Sequence, residues 1–260
     1  MAYRYHEDTP ASIARRIKKG YGQGSGKDYQ PWLRVGHVPS KGWRTRVMGW
    51  KTQRVQHFLS DFELKHFYQW EWSDGVSDIR EQFPLLPISE TLEIACGLDI
   101  RHPKPPRHRL PCVLTTDIVL TRDGQTLAYS IKPSTELENT RVQEKLQIEH
   151  SYWANRGIKW KVATERELHP TLVANIQFLH QARERANINV TETELQDVKA
   201  HLSQRLQPDR RLSEVGRACD IKLNLPPGTS VMVTRYLLAN KVWVADMSCP
   251  IGPNYPLILR

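Results

Sequence analysis

Two apolar segments that flank an Asp-Gly pair constrain the fold of this 260-residue chain more than any other feature. Residues 112–121 and 126–132 are rich in Val, Ile, Leu and Thr, and Asp123-Gly124 between them is typical of a two-residue hairpin turn. Pro133 ends the second segment, because proline cannot donate a hydrogen bond to a strand ladder. The pattern predicts an antiparallel β-hairpin.

This hairpin would bring polar residues of its two strands together. With a two-residue turn, Asp117 lies opposite Ser130, and Lys132 lies on the same face two positions further on. A longer loop would shift this register. One interpretation is an exposed cross-strand salt bridge between Asp117 and Lys132, since surface pairs are common. The other is a functional site, because a charge in an apolar strand is costly unless it is paired or bound to a metal.

The segments around the hairpin predict an α/β layer with a mixed sheet. Ser60 and Glu63 have the spacing of a capping box, as do Thr135 and Glu138, and each pair opens a stretch that reads as helix. The prolines between Pro84 and Pro111 predict an irregular loop. The predicted elements are a helix from about Ser60, a strand over 76–83, the hairpin, a helix over 135–156 and a strand over 158–164.

The pattern changes to helices from about Pro170, which predicts a second domain over 169–260 after a first domain over 1–168. Helical segments are predicted at 172–185, 192–206, 212–222 and 229–239. Val242-Trp243-Val244 then indicates a strand. Helices around a turn followed by a strand fit a winged helix-turn-helix, and a small, mainly helical domain without a wing fits equally well.

Positive charge is concentrated near the N-terminus. Twelve Lys/Arg accompany three Asp/Glu between Met1 and His57, in a chain whose formal net charge is +9. Such a segment suits an enzyme that attracts phosphates, and a solvated basic tail is the alternative. Tryptophans at 32, 43 and 50 could stack on bases, although core packing is the commoner role. The candidate nucleic-acid contacts are Arg15, Arg16, Lys18, Lys19 and Lys27.

The sequence predicts neither a secretory signal nor a membrane span. Met1 to Glu7 lack an apolar core, and no apolar run approaches the roughly 18 residues of a spanning helix. The 4 cysteines and 10 histidines show no zinc-ligand spacing, and the chain has no glycine-rich phosphate loop. We therefore expect a cytoplasmic protein. Since it has no phosphate loop, any ATP hydrolysis that its function needs would be carried out by a partner.

Asp117, the hairpin and Ser130-Ile131-Lys132 resemble the PD-(D/E)xK nuclease core, with Glu63 on a preceding helix. Longer strings resemble the TnsA family of transposase endonuclease subunits, namely IARRIK at 13–18, HFLSDFEL at 57–64, DIREQFPLLP at 78–87 and EKL at 144–146. The resemblance covers about residues 10–170 and is faint beyond them. It implies a restriction-endonuclease-like α/β core.

The resemblance also implies a function. A bacterial TnsA-like chain would be an endonuclease, dependent on one or two Mg²⁺ ions, that nicks the 5′ ends of a transposon. A separate DDE-type transposase subunit would cut and join the 3′ ends, and an ATP-dependent (AAA+) regulator would direct the target. Glu63, Asp117 and the carbonyl of Ile131 would be metal ligands, and Lys132 the catalytic lysine. The C-terminal domain would bind transposon DNA, the regulator or both.

Ser130 departs from the superfamily pattern, which usually has Asp or Glu two residues before the lysine. A hydroxyl can ligate a metal but adds no negative charge, so the second carboxylate would come from Glu63 or Glu149. Ser130 and Glu149 are therefore auxiliary site candidates. Glu149 fits an exposed helical glutamate equally well, and Glu63 fits a simple helix cap.

Two other functions remain open alternatives. A freestanding restriction- or repair-type nuclease on the same core would cut without a transposase partner. A non-catalytic, architectural DNA-binding subunit would have a degenerate site, of which Ser130 would be the symptom.

Overall fold

The computed structural model describes residues 8–36, 44–104 and 110–260. They form two compact units, the first ending at Leu168 and the second running from His169 to Arg260. Trp43 lies outside the described residues, as do residues 105–109 of the predicted proline-rich loop. Within the described ranges, no helix is long and apolar enough to cross a membrane.

The first unit is an α/β structure. Its elements are α1 Pro10–Lys18, β1 Thr45–Met48, β2 Val55–Phe58, α2 Asp61–Trp72, β3 Val76–Pro84, α3 Ile88–Gly97, β4 Thr115–Arg122, β5 Gln125–Ile131, α4 Thr140–Ala154 and β6 Lys159–Ala163. The main sheet has the order β3-β4-β5-β6, with antiparallel pairs except between β5 and β6, which are parallel. The predicted mixed sheet is confirmed, and the β1-β2 hairpin was not predicted.

The hairpin between β4 and β5 has the predicted two-residue turn. Arg122 pairs with Gln125, and the ladder continues to Ile118 opposite Tyr129. Both turn residues have positive φ, 48° at Asp123 and 76° at Gly124, which matches the right-handed twist of the flanking strands. The register is therefore the one that directs Asp117 and Ser130 toward each other at the open end.

Helices cover both faces of this hairpin. Ala128 packs with Trp153 of α4 in one buried cluster, whereas the neighbouring Tyr129 lies 4.8 Å from the ring of Trp70 in α2, centroid to centroid. Because successive residues of a strand point to opposite faces, α2 and α4 lie on opposite sides of the sheet. The candidate site residues therefore lie in three layers: α2 on one side, β4 and β5 in the sheet, and α4 on the other side.

Two local predictions in this unit are wrong. The segment predicted as an irregular loop contains α3, which begins after Pro87, where a fixed φ is compatible with a helix start. Helix α4 begins at Thr140 instead of Thr135, because a short 3-10 helix, Ser134–Glu136, comes first. The side chain of Asn139 caps α4 by accepting from the N–H groups of residues 141 and 142.

The second unit is helical, with α5 Pro170–His180, α6 Glu192–Ser203, α7 Leu212–Lys222 and α8 Thr229–Ala239. The strand predicted at Val242–Val244 is wrong, since the N–H groups of Val242 and Trp243 both donate to the Leu237 carbonyl and close the end of α8. A single bridge between Ala245 and Leu259 is the β-pairing described in this unit. The described residues thus fit the helical alternative and contain no wing.

Candidate active site

Glu63 lies in the first turn of α2, where it contacts the helix cap and lies near Asp117 and Lys132. Ser60 Oγ accepts from Glu63 N at 3.2 Å and donates to Glu63 Oε1 at 2.9 Å. Oε2 accepts from Leu59 N at 3.0 Å and from Gln82 Nε2 at 3.2 Å. Burial, followed by repulsion from Asp117, raises the pKa of Glu63 to about 7. The contacts of Glu63 with Ser60 fit the helix-cap alternative, and its place beside Asp117 is also compatible with a role in the site.

Asp117 and Lys132 form an ion pair at the open end of the hairpin. Lys132 Nζ donates to Asp117 Oδ2 at 2.7 Å, and the same oxygen accepts from Ile131 N at 2.7 Å. Lys132 Nζ also donates to the Ile131 carbonyl at 2.8 Å. Burial lowers the pKa of Lys132, but attraction to Asp117, Glu149 and Glu63 outweighs it and raises that pKa above its usual value. Lys132 is therefore a cation at neutral pH.

Glu149 is buried, so the interpretation as an exposed helical glutamate is wrong. Its Oε2 accepts from Ser130 Oγ and, at 3.0 Å, from Thr116 Oγ1. Trp160 Nε1 donates to Ser130 Oγ at 3.2 Å, and Trp153 Nε1 donates to Thr116 Oγ1 at 2.8 Å. Burial, followed by repulsion from Asp117, raises the pKa of Glu149 to about 7. Ser130 thus contacts Glu149 and holds it beside the Asp117–Lys132 pair.

Charges in this cluster are unbalanced. Asp117 repels both Glu63 and Glu149, and Lys132 attracts all three carboxylates. These four residues are called the acid–lysine cluster below. Fully ionised, the four groups would carry a net charge of −2, which explains why burial and mutual repulsion raise two of the carboxyl pKa values. A divalent cation would offset this deficit.

The donor set of the cluster fits Mg²⁺, a hard ion that prefers oxygen ligands. Glu63, Asp117 and Glu149 offer carboxylates, and Ile131 offers a carbonyl. In the described ranges, no three His, Cys, Asp or Glu side chains are grouped closely enough to hold a metal by themselves. A bound Mg²⁺ would therefore complete its shell with water and substrate phosphate oxygens, which is its usual mode of binding.

The predicted basic contacts differ in their surroundings. Arg15 of α1 and Lys19, the residue that caps the C-terminal end of α1, are exposed and line a cavity that Lys132 and Glu149 also line. Lys18 is exposed outside this cavity, and Lys27 is exposed in the 3-10 helix Gly26–Asp28. The structure therefore brings Arg15 and Lys19, and neither Lys18 nor Lys27, to the acid–lysine cluster.

The guanidinium of Arg16 is engaged in contacts within the fold. It donates to the Trp32 carbonyl, lies 3.7 Å from the centroid of the Trp32 ring, and pairs with Asp8 at 3.6 Å. Trp32 is itself fully buried. Its role is therefore core packing, the commoner of the two roles considered for the tryptophans.

Thr116 and Trp160 belong to the site region and were not predicted. Thr116 precedes Asp117 and is fully buried, a position that a strand alternation assigned to the opposite face. Glu149 had a signal in the sequence, because Leu146 and Trp153 at helical spacing on both sides place it on the buried face of α4.

Comparison with known proteins assigns the class. A model of the TnsA-like endonuclease N terminal matches residues 73–165, which include Asp117, Lys132 and Glu149. A model of the TnsA endonuclease C terminal matches residues 167–247. With its mixed-sheet core, the chain is an endonuclease of the nuclease-like α/β class.

A similar protein of known name indicates the family. "Transposon Tn7 transposition protein TnsA" of Escherichia coli is 40% identical over 240 residues, a match that covers 88% of this chain and 83% of the relative. The chain belongs to the TnsA family, as the motifs of the sequence indicated.

Proposed function

We propose that the chain is the Mg²⁺-dependent nuclease subunit of a cut-and-paste transposase. It nicks the 5′ ends of the transposon, while a DDE-type transposase subunit cuts and joins the 3′ ends and an AAA+ regulator directs the complex. The proposal rests on one observation, the half-buried Asp117–Lys132 pair with the buried Glu63 and Glu149 around it, in a chain of the TnsA family.

Glu63, Asp117 and the Ile131 carbonyl would hold one or two Mg²⁺ ions. The bound ion supplies Lewis-acid polarisation of the scissile phosphate and offsets the charge that develops on its oxygens. Glu149 would provide the carboxylate that the superfamily usually has at the position of Ser130. The hydroxyl of Ser130 would orient this carboxylate, since it donates directly to Glu149 Oε2.

Lys132 would act as a positive hydrogen-bond donor and not as a base. Its pKa is raised by Asp117, Glu149 and Glu63 after burial has lowered it, so the ammonium keeps its proton at neutral pH. Two of its contacts, Asp117 Oδ2 and the Ile131 carbonyl, fix its position. It can then orient the attacking oxygen or stabilise charge on the phosphate.

The two units would have different functions, catalysis in the first and binding in the second. Residues 1–168 would form the catalytic domain, with DNA backbone contacts from Arg15, Lys18, Lys19 and Lys27. Residues 169–260 would bind DNA or the regulator. In the described residues of the second unit, several exposed basic side chains have no ion-pair partner: Arg205, Arg210, Arg211, Arg217 and Lys222.

A strand-resolved cleavage assay on transposon-end DNA tests the proposal. The chain is assembled with the transposase subunit and Mg²⁺, and Asp117→Asn is compared with Asp123→Asn, a matched change in the hairpin turn. Asp117→Asn removes a charge from the cluster, so we expect 5′-strand nicking to fall at least about 100-fold with DNA binding kept. Asp123→Asn, at a positive φ that Asn tolerates, should nick like the wild type.

Other results would assign the alternatives. Equal nicking by both variants and the wild type would mean that the cluster is not the nuclease site. If the wild type itself binds the DNA but does not nick the 5′ strand, the chain is an architectural subunit. Cutting without the transposase subunit would indicate a freestanding nuclease. Chelation of Mg²⁺ by EDTA should stop nicking, and nicking that persists in EDTA would contradict the metal requirement.

A further inference from the structure

A cavity of about 650 Å³ opens beside the candidate active site, between α1 and α4. Lys132 and Glu149 line this α1–α4 cavity, so it is continuous with the acid–lysine cluster. Its volume lies within the roughly 300–1,000 Å³ of pockets that hold small ligands. A group bound there would therefore lie next to the phosphate that the site attacks.

The α1–α4 cavity combines an apolar wall with basic residues. The wall is formed by Leu33, Val113, Leu114, Val142 and Leu146. Arg15 of α1, Lys19 directly after α1 and Lys145 of α4 also line the cavity, and all three are exposed. Nucleobases have apolar faces and are joined to charged phosphates, so this combination matches one nucleotide better than an uncharged ligand.

Arg16 makes one side of the cavity rigid. Its guanidinium lies over the Trp32 ring at 3.7 Å and pairs with Asp8 at 3.6 Å. Asp8 in turn accepts from Val113 N at 2.9 Å, which ties the segment before β4 to the segment before α1. The charges of Arg16 and Asp8 offset each other. Of the other charged residues that line the cavity, the basic Arg15, Lys19, Lys132 and Lys145 outnumber the acidic Glu136 and Glu149, so the cavity keeps a net attraction for phosphate.

We propose that the α1–α4 cavity receives one unpaired nucleotide of the DNA strand that is cut. The base would lie against the apolar wall, and adjacent phosphates would lie at Arg15, Lys19 and Lys145. A paired base cannot enter a cavity of this size, so the nucleotide must leave the helical stack before the strand is cut. This inference rests on the proposed function, and it adds a requirement for local unpairing of the DNA beside the cut.

A steric substitution with a matching change in the DNA tests this proposal. Val142→Trp fills part of the cavity, and Gln147→Trp adds the same ring at an exposed position of α4 outside the cavity. The full chain, assembled with the transposase subunit and Mg²⁺, is given transposon-end duplexes that are intact or that lack one base at each position around the 5′ cut.

Val142→Trp should cut the intact duplex at least about tenfold more slowly than the wild type, because the indole occupies the space of the base. One abasic position should bring its rate back to that of the wild type. Gln147→Trp should cut both duplexes like the wild type. Restoration by an abasic DNA distinguishes blocked base entry from a misfolded variant, which no abasic position would restore.

Fluorescence of 2-aminopurine gives a second readout. Placed in turn at each position around the 5′ cut, with Ca²⁺ in place of Mg²⁺ to prevent cutting, it should brighten at one position on complex formation with the wild type but not with Val142→Trp. Equal cutting of the intact duplex by Val142→Trp and the wild type would overturn the cavity assignment alone. So would slow cutting by Val142→Trp that no abasic position restores, together with no brightening at any position when the wild type binds. Equal cutting by Asp117→Ala and the wild type would overturn the proposed function, and the cavity assignment with it.

Discussion

Lys132 and Asp117 meet where the β4-β5 ladder ends. The last paired residues are Ile118 and Tyr129, and beyond them Asp117 Oδ2 accepts from both Ile131 N and Lys132 Nζ at 2.7 Å. A carboxylate thus takes the place of the next backbone acceptor. The two strands can separate without leaving the Ile131 N–H unsatisfied, and the opening holds the charged groups of the site.

The contact between Ser130 and Glu149 predicts that restoring the superfamily's usual acid at position 130 is harmful. Ser130→Asp places a second carboxylate against Glu149 in a fully buried position. We expect the free energy of unfolding to fall by about 2–4 kcal/mol and nicking to fall with it. Urea unfolding and the strand-resolved assay measure both effects.

Glu149→Gln supplies the control for that substitution. Because it removes one of the two repelling charges, the double variant Ser130→Asp with Glu149→Gln should be more stable than Ser130→Asp alone. If the effects of the two substitutions simply add, or if Ser130→Asp is as stable as the wild type, Ser130 and Glu149 are not coupled as the contact implies.

Substitutions at Glu63 and Ser60 distinguish the contribution of Glu63 to the helix cap from the contribution of its charge to nicking. Glu63→Gln keeps the size of the side chain and replaces the carboxylate with an amide, which can also serve at the third helical position. Stability should therefore change by less than about 1 kcal/mol while nicking is lost. Ser60→Ala removes the cap acceptor and should cost about 1 kcal/mol with most nicking retained. The reverse pattern in nicking and thermal unfolding would show that Glu63 is only a cap residue.

His180 on α5 makes stability depend on pH. Burial, followed by the nearby Arg183, lowers the pKa of His180 to about 4. The unfolded chain takes up this proton near pH 6.5, so stability is complete above that pH and is lost as the pH falls toward 4. From pH 7 to pH 5 we expect a loss of about 2 kcal/mol from this group.

His180→Leu is the variant that isolates this contribution. Other histidines titrate in both proteins, so the difference between the wild type and the variant reports on His180 alone. Urea unfolding at pH 7 and pH 5 should show the wild type losing about 2 kcal/mol more than His180→Leu. An equal loss in the two proteins would mean that His180 takes up its proton as readily in the folded state as in the unfolded state.

The sequence predicted the hairpin and its register because both depend on local chemistry. Asp123-Gly124 accepts the positive φ values of the turn, and a turn of two residues leaves one register for the strands that it joins. The meeting of Asp117 with Lys132 follows from that register. Helix α3 was missed because the surrounding prolines outweighed its short helical segment.

Contacts between distant segments could not be predicted in the same way. Arg16 belongs to a basic stretch in the sequence, but it packs on Trp32, which only the folded structure brings next to it. Ser130 resembled a defect, since nothing local shows that Glu149 of α4 contacts it. Both cases depend on tertiary packing, which periodicity along the chain does not encode.

Product analysis of a reconstituted transposition reaction shows whether the acid–lysine cluster cuts the 5′ strands. The wild type, Asp117→Ala and Lys132→Ala are each combined with the cognate transposase subunit, the regulator, Mg²⁺ and a marked element. We expect clean excision with the wild type, whereas both variants should join the 3′ ends and leave the 5′ strands attached to the flanking DNA, giving cointegrates. Identical products from all three proteins would mean that the acid–lysine cluster is not the nuclease site.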